Sequence, residues 1–249
     1  MRRLFLSIIF ILLWTSPSYS VDTSFQPGER LHYFLTWGGI KSGELTLEVA
    51  PMETMGAEKW WHFVMECHST KFIDIFYKLR NRVDAYTDQS LARSLLYIEK
   101  KWGSKSKVKK IKFDYEKLEA SYIKNGRLRR VIKIGPSTFD PLSVFYYFRT
   151  KPLAPGTLIK APISDGKKFV IGQARVLRRE RVHVQGKAYE CVLVIPDLRH
   201  VGGVFDQGRG SKTRIWFSSD PSHIPIKIET KVKVGSFIMW LNSAKKGPI

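Results

Sequence analysis

Apolar and polar residues alternate with period two in stretch after stretch of this 249-residue chain. Successive side chains of a strand point to opposite faces, so each such run reads as a strand half buried in a sheet. Leu45, Leu47 and Val49 alternate with Glu44, Thr46 and Glu48. Ile224, Ile226, Ile228, Thr230, Val232 and Val234 form a longer row, broken by Lys227, Glu229, Lys231 and Lys233. Trp61, Phe63, Met65 and Cys67 share one face of another strand. Hydrophobic residues make up 43% of the chain, enough for a packed core, which excludes wholesale disorder.

Turn dipeptides punctuate the runs: Asn125-Gly126, Asp165-Gly166 and Gln185-Gly186. The first of them predicts a hairpin between Ala120–Lys124 and Arg127–Ile134. One segment has helical logic instead. Asp140 caps, Pro141 suits the first helical position, and Leu142, Phe145, Tyr146 and Arg149 then fall on one face. Pro152 and Pro155-Gly156 stop it. The glycine-rich run from Val201 to Gly210 is the candidate mobile loop. The expected fold is mainly β: a single antiparallel sheet strongly curled into a barrel or half-barrel, with one short central helix near residues 140–149.

The first twenty residues read as a secretory signal peptide. Arg2 and Arg3 precede an apolar run from Leu4 to Trp14, and Ser18-Tyr19-Ser20 puts small residues before a cut at Val21. That run is shorter than the roughly 20 residues a spanning helix needs. Residues 21–249 are then a single exported β-rich domain, in the periplasm or peripheral to the outer membrane. An oxidising compartment permits a disulfide between Cys67 and Cys191. The alternative is two buried thiols, and spacing does not choose between them.

The order of landmarks resembles a known family. Phe25-Gln26-Pro27-Gly28-Glu29-Arg30-Leu31-His32-Tyr33, followed by Trp37-Gly38-Gly39-Ile40-Lys41-Ser42-Gly43, is similar to the opening of the exported bacterial family Domain of Unknown Function 3108. Asp140 to Ser143 through Tyr146 to Arg149 resembles its central helix. Ile215 to Asp220, Pro225 to Glu229 and Val234-Gly235-Ser236 resemble its last strands. The resemblance implies a periplasmic or outer-envelope β protein with no assigned enzyme activity, and it supplies no catalytic residues. The two cysteines and the high basic charge are particular to this chain.

Motifs for chemistry are missing. No zinc-type spacing joins the six histidines and two cysteines. His62, Glu66 and His68 share a strand face, but spacing marks no fourth ligand. Ser143 lies outside a nucleophile elbow and reads as a helix-capping neighbour. Neither glycine cluster is a phosphate loop, and acidic residues are scarce. No catalytic residue, metal site or cofactor is expected, and the chain reads as a non-enzyme.

Basic charge is the loudest remaining signal. The chain carries 42 Lys+Arg against 22 Asp+Glu, a formal net charge of +20. Residues 100–133 hold 13 of those basic residues against Asp114, Glu116 and Glu119. Lys109, Lys110, Lys112, Arg127, Arg129 and Arg130 are the candidates for binding an anionic surface. In a straight strand Arg127 and Arg129 would share one face and Arg130 the other. The polyanions an exported protein meets are anionic lipids, lipopolysaccharide and cell-wall polymers rather than nucleic acid. The alternative is a solvated sheet face whose lysines guard its edges.

Leu142, Phe145 and Tyr146 are candidates to line or lid an apolar interior, in a chain with 7 Trp, 10 Tyr and 15 Phe. Three functions are thus open. The first is a non-catalytic binding module for a lipid or anionic envelope glycolipid. The second is an envelope interaction protein with a filled core and a basic docking face. The third is a hydrolase without a recognisable motif.

Overall fold

The structure, a computed structural model, describes residues 24–104, 106–197, 212–232 and 235–247. The signal-like segment 1–20, the glycine-rich run 201–210, and the residues Lys105, His200 and Val234 lie outside them.

Among the described residues, fourteen strands form one antiparallel sheet. The first eight are β1 (Arg30–Trp37), β2 (Ile40–Met55), β3 (Glu58–Ser69), β4 (Leu79–Asp88), β5 (Ser94–Gly103), β6 (Lys107–Asp114), β7 (Glu119–Lys124) and β8 (Arg127–Lys133). After the helix come β9 (Leu158–Ser164), β10 (Phe169–Val184), β11 (Lys187–Asp197), β12 (Lys212–Ser218), β13 (Pro225–Val232) and β14 (Gly235–Lys245). A one-turn helix α1 (Lys71–Asp74) links β3 to β4, and α2 (Ser143–Arg149) lies between β8 and β9.

Two meanders, β1 to β8 and β9 to β14, become one sheet because β14 pairs with β1 from Arg30 opposite Lys245 to Trp37 opposite Phe237. The sheet is not closed: β8 and β9 are its edges. The seam between them is nevertheless bridged. Phe139 zips in parallel onto β9 through Phe139 N to Pro162 O at 2.9 Å and Ser164 N to Phe139 O at 2.8 Å. Arg130 on β8 donates to Lys167 O in the β9–β10 turn at 3.1 Å.

The period-two runs lie on the faces the sequence indicates. Leu45, Leu47, Val49, Trp61, Phe63 and Met65 are buried, as are Ile224, Ile226, Ile228 and Thr230. Asn125 and Gly126 both take positive φ (49° and 77°), as do Gln185 and Gly186, so both hairpins turn in the primed geometry that matches strand twist.

In α2 the helical residues begin at Ser143, after a turn through Pro141 and Leu142. Asp140 still organises its start: one carboxylate oxygen accepts from the amides of Leu142 (2.8 Å) and Ser143 (2.9 Å). The other accepts from the Ser94 and Ser143 hydroxyls at 2.6 and 2.5 Å. Ser143 is therefore a capping partner buried with its aspartate.

The structure bears on three expectations. Cys67 on β3 and Cys191 on β11 are both free thiols, and five strands separate theirs in the sheet order. Burial pushes the Cys67 thiol up to about 11 and the Cys191 thiol up to about 12, so neither is an activated nucleophile. Leu142, Phe145 and Tyr146 are buried in side-chain packing. The helix fills the concave side of the sheet, with Tyr146 stacked on Phe63 at 4.0 Å and Phe145 5.9 Å from Phe217. Arg127 and Arg129 do not stand opposite Arg130 in the simple way a straight strand would dictate. A bulge in β8 sets Arg127 opposite Lys124 and Arg130 opposite Tyr122, two residues apart on β7, so Arg127 and Arg130 return to one face.

Candidate functional site

In an antiparallel meander every second connection lies at the same end of the sheet. One end therefore collects the β1–β2, β3–β4, β5–β6, β7–β8, β9–β10 and β13–β14 connections. All seven exposed aromatic side chains among the described residues sit there: Trp37, Phe72, Phe76, Tyr77, Trp102, Phe169 and Phe237. Ile40 and Ile75 join them, and Ile75 and Phe76 are each 75% exposed. Trp37 stacks on Phe237 at 5.8 Å across the β1–β14 pair.

The α1 turn carries the densest part of this patch. Asp74 anchors it, accepting from Ser69 Oγ at 2.5 Å and from Arg80 at 2.5 and 3.0 Å, and these bonds, Arg80's foremost, lower its carboxyl to about 2. Thr70 caps the helix through Ile73 N. With its polar groups tied inward, the turn holds Phe72, Ile75 and Phe76 outward. Lys41, Lys71, Lys78, Lys167 and Lys168 stand exposed around the same end.

Inside that end the character of the concave face changes along the sheet. One inward row, read through the register, runs Leu47, Met65, Val83, Glu99, Lys109, Lys124, Arg127. The next runs Leu45, Cys67, Asn81, Lys101, Lys107. Both rows are largely apolar over β2 to β4 and charged from β5 onward, where Glu99 is the one carboxylate among lysines and an arginine. Lys109 is only 4% exposed. Its ammonium lies 5.0 Å from the Tyr97 ring centre and 6.0 Å from that of Tyr122, within cation–π range.

The six basic residues named as candidates for binding an anionic surface are divided between the two faces of the sheet. Lys109 is inside and is withdrawn from the surface set. Arg127 and Arg130 lie on the inward side of the edge strand, where Arg130 reaches the seam. Lys110 and Lys112 alternate to the outer face. Arg129 occupies the bulge. Both faces of β6 carry lysine, so their alternation with Val108, Ile111 and Phe113 does not reveal which side is in. Sequence reasoning also missed α1, whose apolar residues follow no periodic pattern. The signal for it was the cluster Phe72-Ile73-Asp74-Ile75-Phe76-Tyr77 after the β3 run.

Elsewhere, the outer face of β2 to β4 holds a polar network. His62 bridges Glu53 (3.0 Å) and Asp84 (3.1 Å) and stacks on Tyr86 at 4.3 Å. Burial alone would raise Asp84, but hydrogen bonds from His62 and Arg82 outweigh it and hold its carboxyl at about 2. Glu66 pairs with Arg82 at 2.6 Å and His68 with Glu44 at 3.5 Å, so the three residues weighed as a metal set are each engaged with a neighbouring charge. Among the described residues no group of three or more His, Cys, Asp or Glu side chains converges as metal ligands do. No described helix is long and apolar enough to cross a membrane. At the opposite end a cleft of about 290 Å³ opens between Phe25, Glu29, Ser222 and Lys246.

The family model described as Protein of unknown function (DUF3108) matches residues 32–242. The chain belongs to the DUF3108 family. No curated protein matches it. Among solved structures, this DUF3108 chain is similar to a β-barrel-like protein of family DUF1849 from Brucella abortus. The TM-score is 0.57 at 11% identity, over 90% of this chain and 100% of that one, a likeness of fold alone. Weaker likenesses are to a candidate exported protein with a YmcC-like fold from Bacteroides fragilis (TM-score 0.40, 10% identity, 90% of this chain and 98% of that one). The third is a candidate lipoprotein from Parabacteroides distasonis (TM-score 0.39, 9% identity, 90% and 98%).

Proposed function

We propose that this DUF3108 protein is a non-catalytic binding module of the cell envelope that engages an anionic lipid or glycolipid surface end-on. One observation carries the reading: every exposed aromatic among the described residues lies at one end, interleaved with lysines. Aromatic side chains favour the boundary between headgroups and acyl chains, and lysine favours an anionic leaflet. A solvated protein surface has no reason to gather both in one place. The packing of α2 inside the sheet supports contact with lipid at this end rather than enclosure of a whole acyl chain in the interior.

The periplasmic side of the envelope is the compartment this reading requires. The second reading, an envelope interaction protein with a filled core, draws on the same α2 packing and assigns the aromatic end to a protein partner.

Vesicle flotation separates the two. The mature chain is expected to float with vesicles of phosphatidylethanolamine and phosphatidylglycerol, and far less with phosphatidylethanolamine alone. Substituting Phe72→Ser with Phe76→Ser removes two exposed rings, each worth about 1–2 kcal/mol on partial insertion at roughly 25 cal/mol per Å². The pair should weaken partitioning at least about tenfold. Absence of binding to the anionic vesicles, or equal binding by the double variant, overturns the lipid reading.

A further inference from the structure

We infer that the inner wall of β5 to β7 at the aromatic end is a binding site for a phosphate ester that also bears hydroxyl groups, with Lys109 at its floor and Lys101, Lys107, Lys124 and Lys167 around its mouth. The inference deepens the end-on reading by naming the group received there, and its test needs no membrane.

The five lysines converge from four elements, β5, β6, β7 and the β9–β10 turn. Register places Lys101 opposite Lys107 and Lys109 opposite Lys124 on one concave face, and the β9–β10 turn brings Lys167 over the Tyr122 ring at 5.5 Å. That turn packs closely enough that a Cβ on Gly166 would stand 3.0 Å from Ile111 and 3.2 Å from Tyr122. Exposure falls with depth: Lys167 is exposed, Lys101, Lys107 and Lys124 are half-buried, and Lys109 is buried.

The site's own carboxylates are too few for its cations. Glu99 holds Lys101 at 2.9 Å through one oxygen, while its other oxygen stands 3.9 Å from Lys109, beyond hydrogen-bond reach. Asp165, the other carboxylate near Lys109, accepts from the amides of Lys167 and Lys168 in its own turn. Lys107 is held below its ordinary value, first by burial, against the pull of Glu99, and then by repulsion from Lys101, Lys167 and Lys124. Lys109 is lowered likewise, burial first. Buried charges without close partners are costly, and a bound dianion would reverse the sign of those repulsions.

A second observation specifies the ligand further. Asn81, opposite Lys101 in the inward row, has a buried side-chain oxygen with no hydrogen-bond partner. It needs a donor, which a phosphate dianion does not supply and a ligand hydroxyl does. Phosphate plus hydroxyl describes a phosphoglycerol or phosphosugar headgroup, or the corresponding soluble ester.

Calorimetric titration of the mature chain tests this, with glycerol 3-phosphate, inorganic phosphate and monomeric short-chain phosphatidylglycerol as probes. Saturable binding is expected, with glycerol 3-phosphate preferred to inorganic phosphate. Lys109→Met should weaken it about tenfold or more, since it removes a charged hydrogen-bond donor. Asn81→Leu should abolish the preference for the hydroxylated probe. Tighter binding of the lipid than of glycerol 3-phosphate makes the source a membrane headgroup, and the reverse order makes it a soluble ester. Both support the site. No saturable binding, or unchanged binding by Lys109→Met, overturns it.

If Lys109→Met does not fold, ligand-dependent shifts of the Lys109 side-chain resonances in the unaltered chain decide the same question. Their absence at saturating glycerol 3-phosphate overturns the site. Phe72→Ser with Phe76→Ser should leave glycerol 3-phosphate binding unchanged, so failure of vesicle docking and failure of this site are read separately.

Discussion

At the residue scale, the most consequential interaction joins positions 120 apart in sequence. Arg149, with no exposure, donates two parallel bonds to Glu29 at 2.6 and 2.9 Å and a third to Ser222 O at 3.0 Å. It also lies 5.2 Å from the Phe25 ring centre and 5.6 Å from that of Tyr146. The pair therefore fastens α2 to the start of β1 and to the β12–β13 connection. A buried ion pair contributes little relative to an apolar replacement, but breaking it strands a charge. Glu29→Ala should lower the unfolding free energy by about 3–5 kcal/mol, read from urea denaturation, and Glu29→Leu with Arg149→Met should recover much of that loss. An effect below about 1 kcal/mol for Glu29→Ala would mean that water reaches and solvates the guanidinium.

At the scale of elements, the turns decide how the sheet curls. The β9–β10 turn meets the opposite half of the sheet, and Gly166 makes that meeting feasible. Its φ of +80° disfavours any Cβ, and a Cβ would press on Ile111 and Tyr122. Gly166→Ala combines left-handed strain of about 1–2 kcal/mol with overpacking of about 1–3 kcal/mol. We expect a loss of about 2–5 kcal/mol, with faster hydrogen exchange in β8 and β9, where the seam depends on this turn. Loss of stability without changed exchange along the seam would show that the turn strains only itself. Gly126, also at positive φ, has open space where a Cβ would go, so only the strain cost applies there.

At the scale of the whole molecule, the charge of +20 and the aromatic end act together. Lysines near an anionic surface contribute on the order of 1 kcal/mol each, over a screening length of about 10 Å at 0.1 M salt and about 3 Å at 1 M. Partitioning to anionic vesicles should fall steeply across that range and level off at a residue set by the inserted rings. Flotation that ignores salt would assign the contact to the aromatics alone, and flotation that vanishes would assign it to charge alone.

The sequence by itself indicated several of the strands, their buried faces where one face is apolar, the primed hairpins and the capping role of Asp140. Each follows from local geometry: alternation fixes which side is in, and Asn-Gly or Gln-Gly fixes the turn. The tertiary structure decided what local geometry leaves open. Lys109 and Lys110 occupy neighbouring positions in a strand with lysine on both faces, so only pairing with Glu99 and Lys124 sends Lys109 inward. The bulge that reunites Arg127 with Arg130 is a property of β7 and β8 together. The free state of Cys67 and Cys191 follows from the sheet order, and Glu29 meets Arg149 because α2 folds back into the sheet. Contacts between distant strands depend on how the two meanders join at β1 and β14, and no window of sequence contains both sides of that junction.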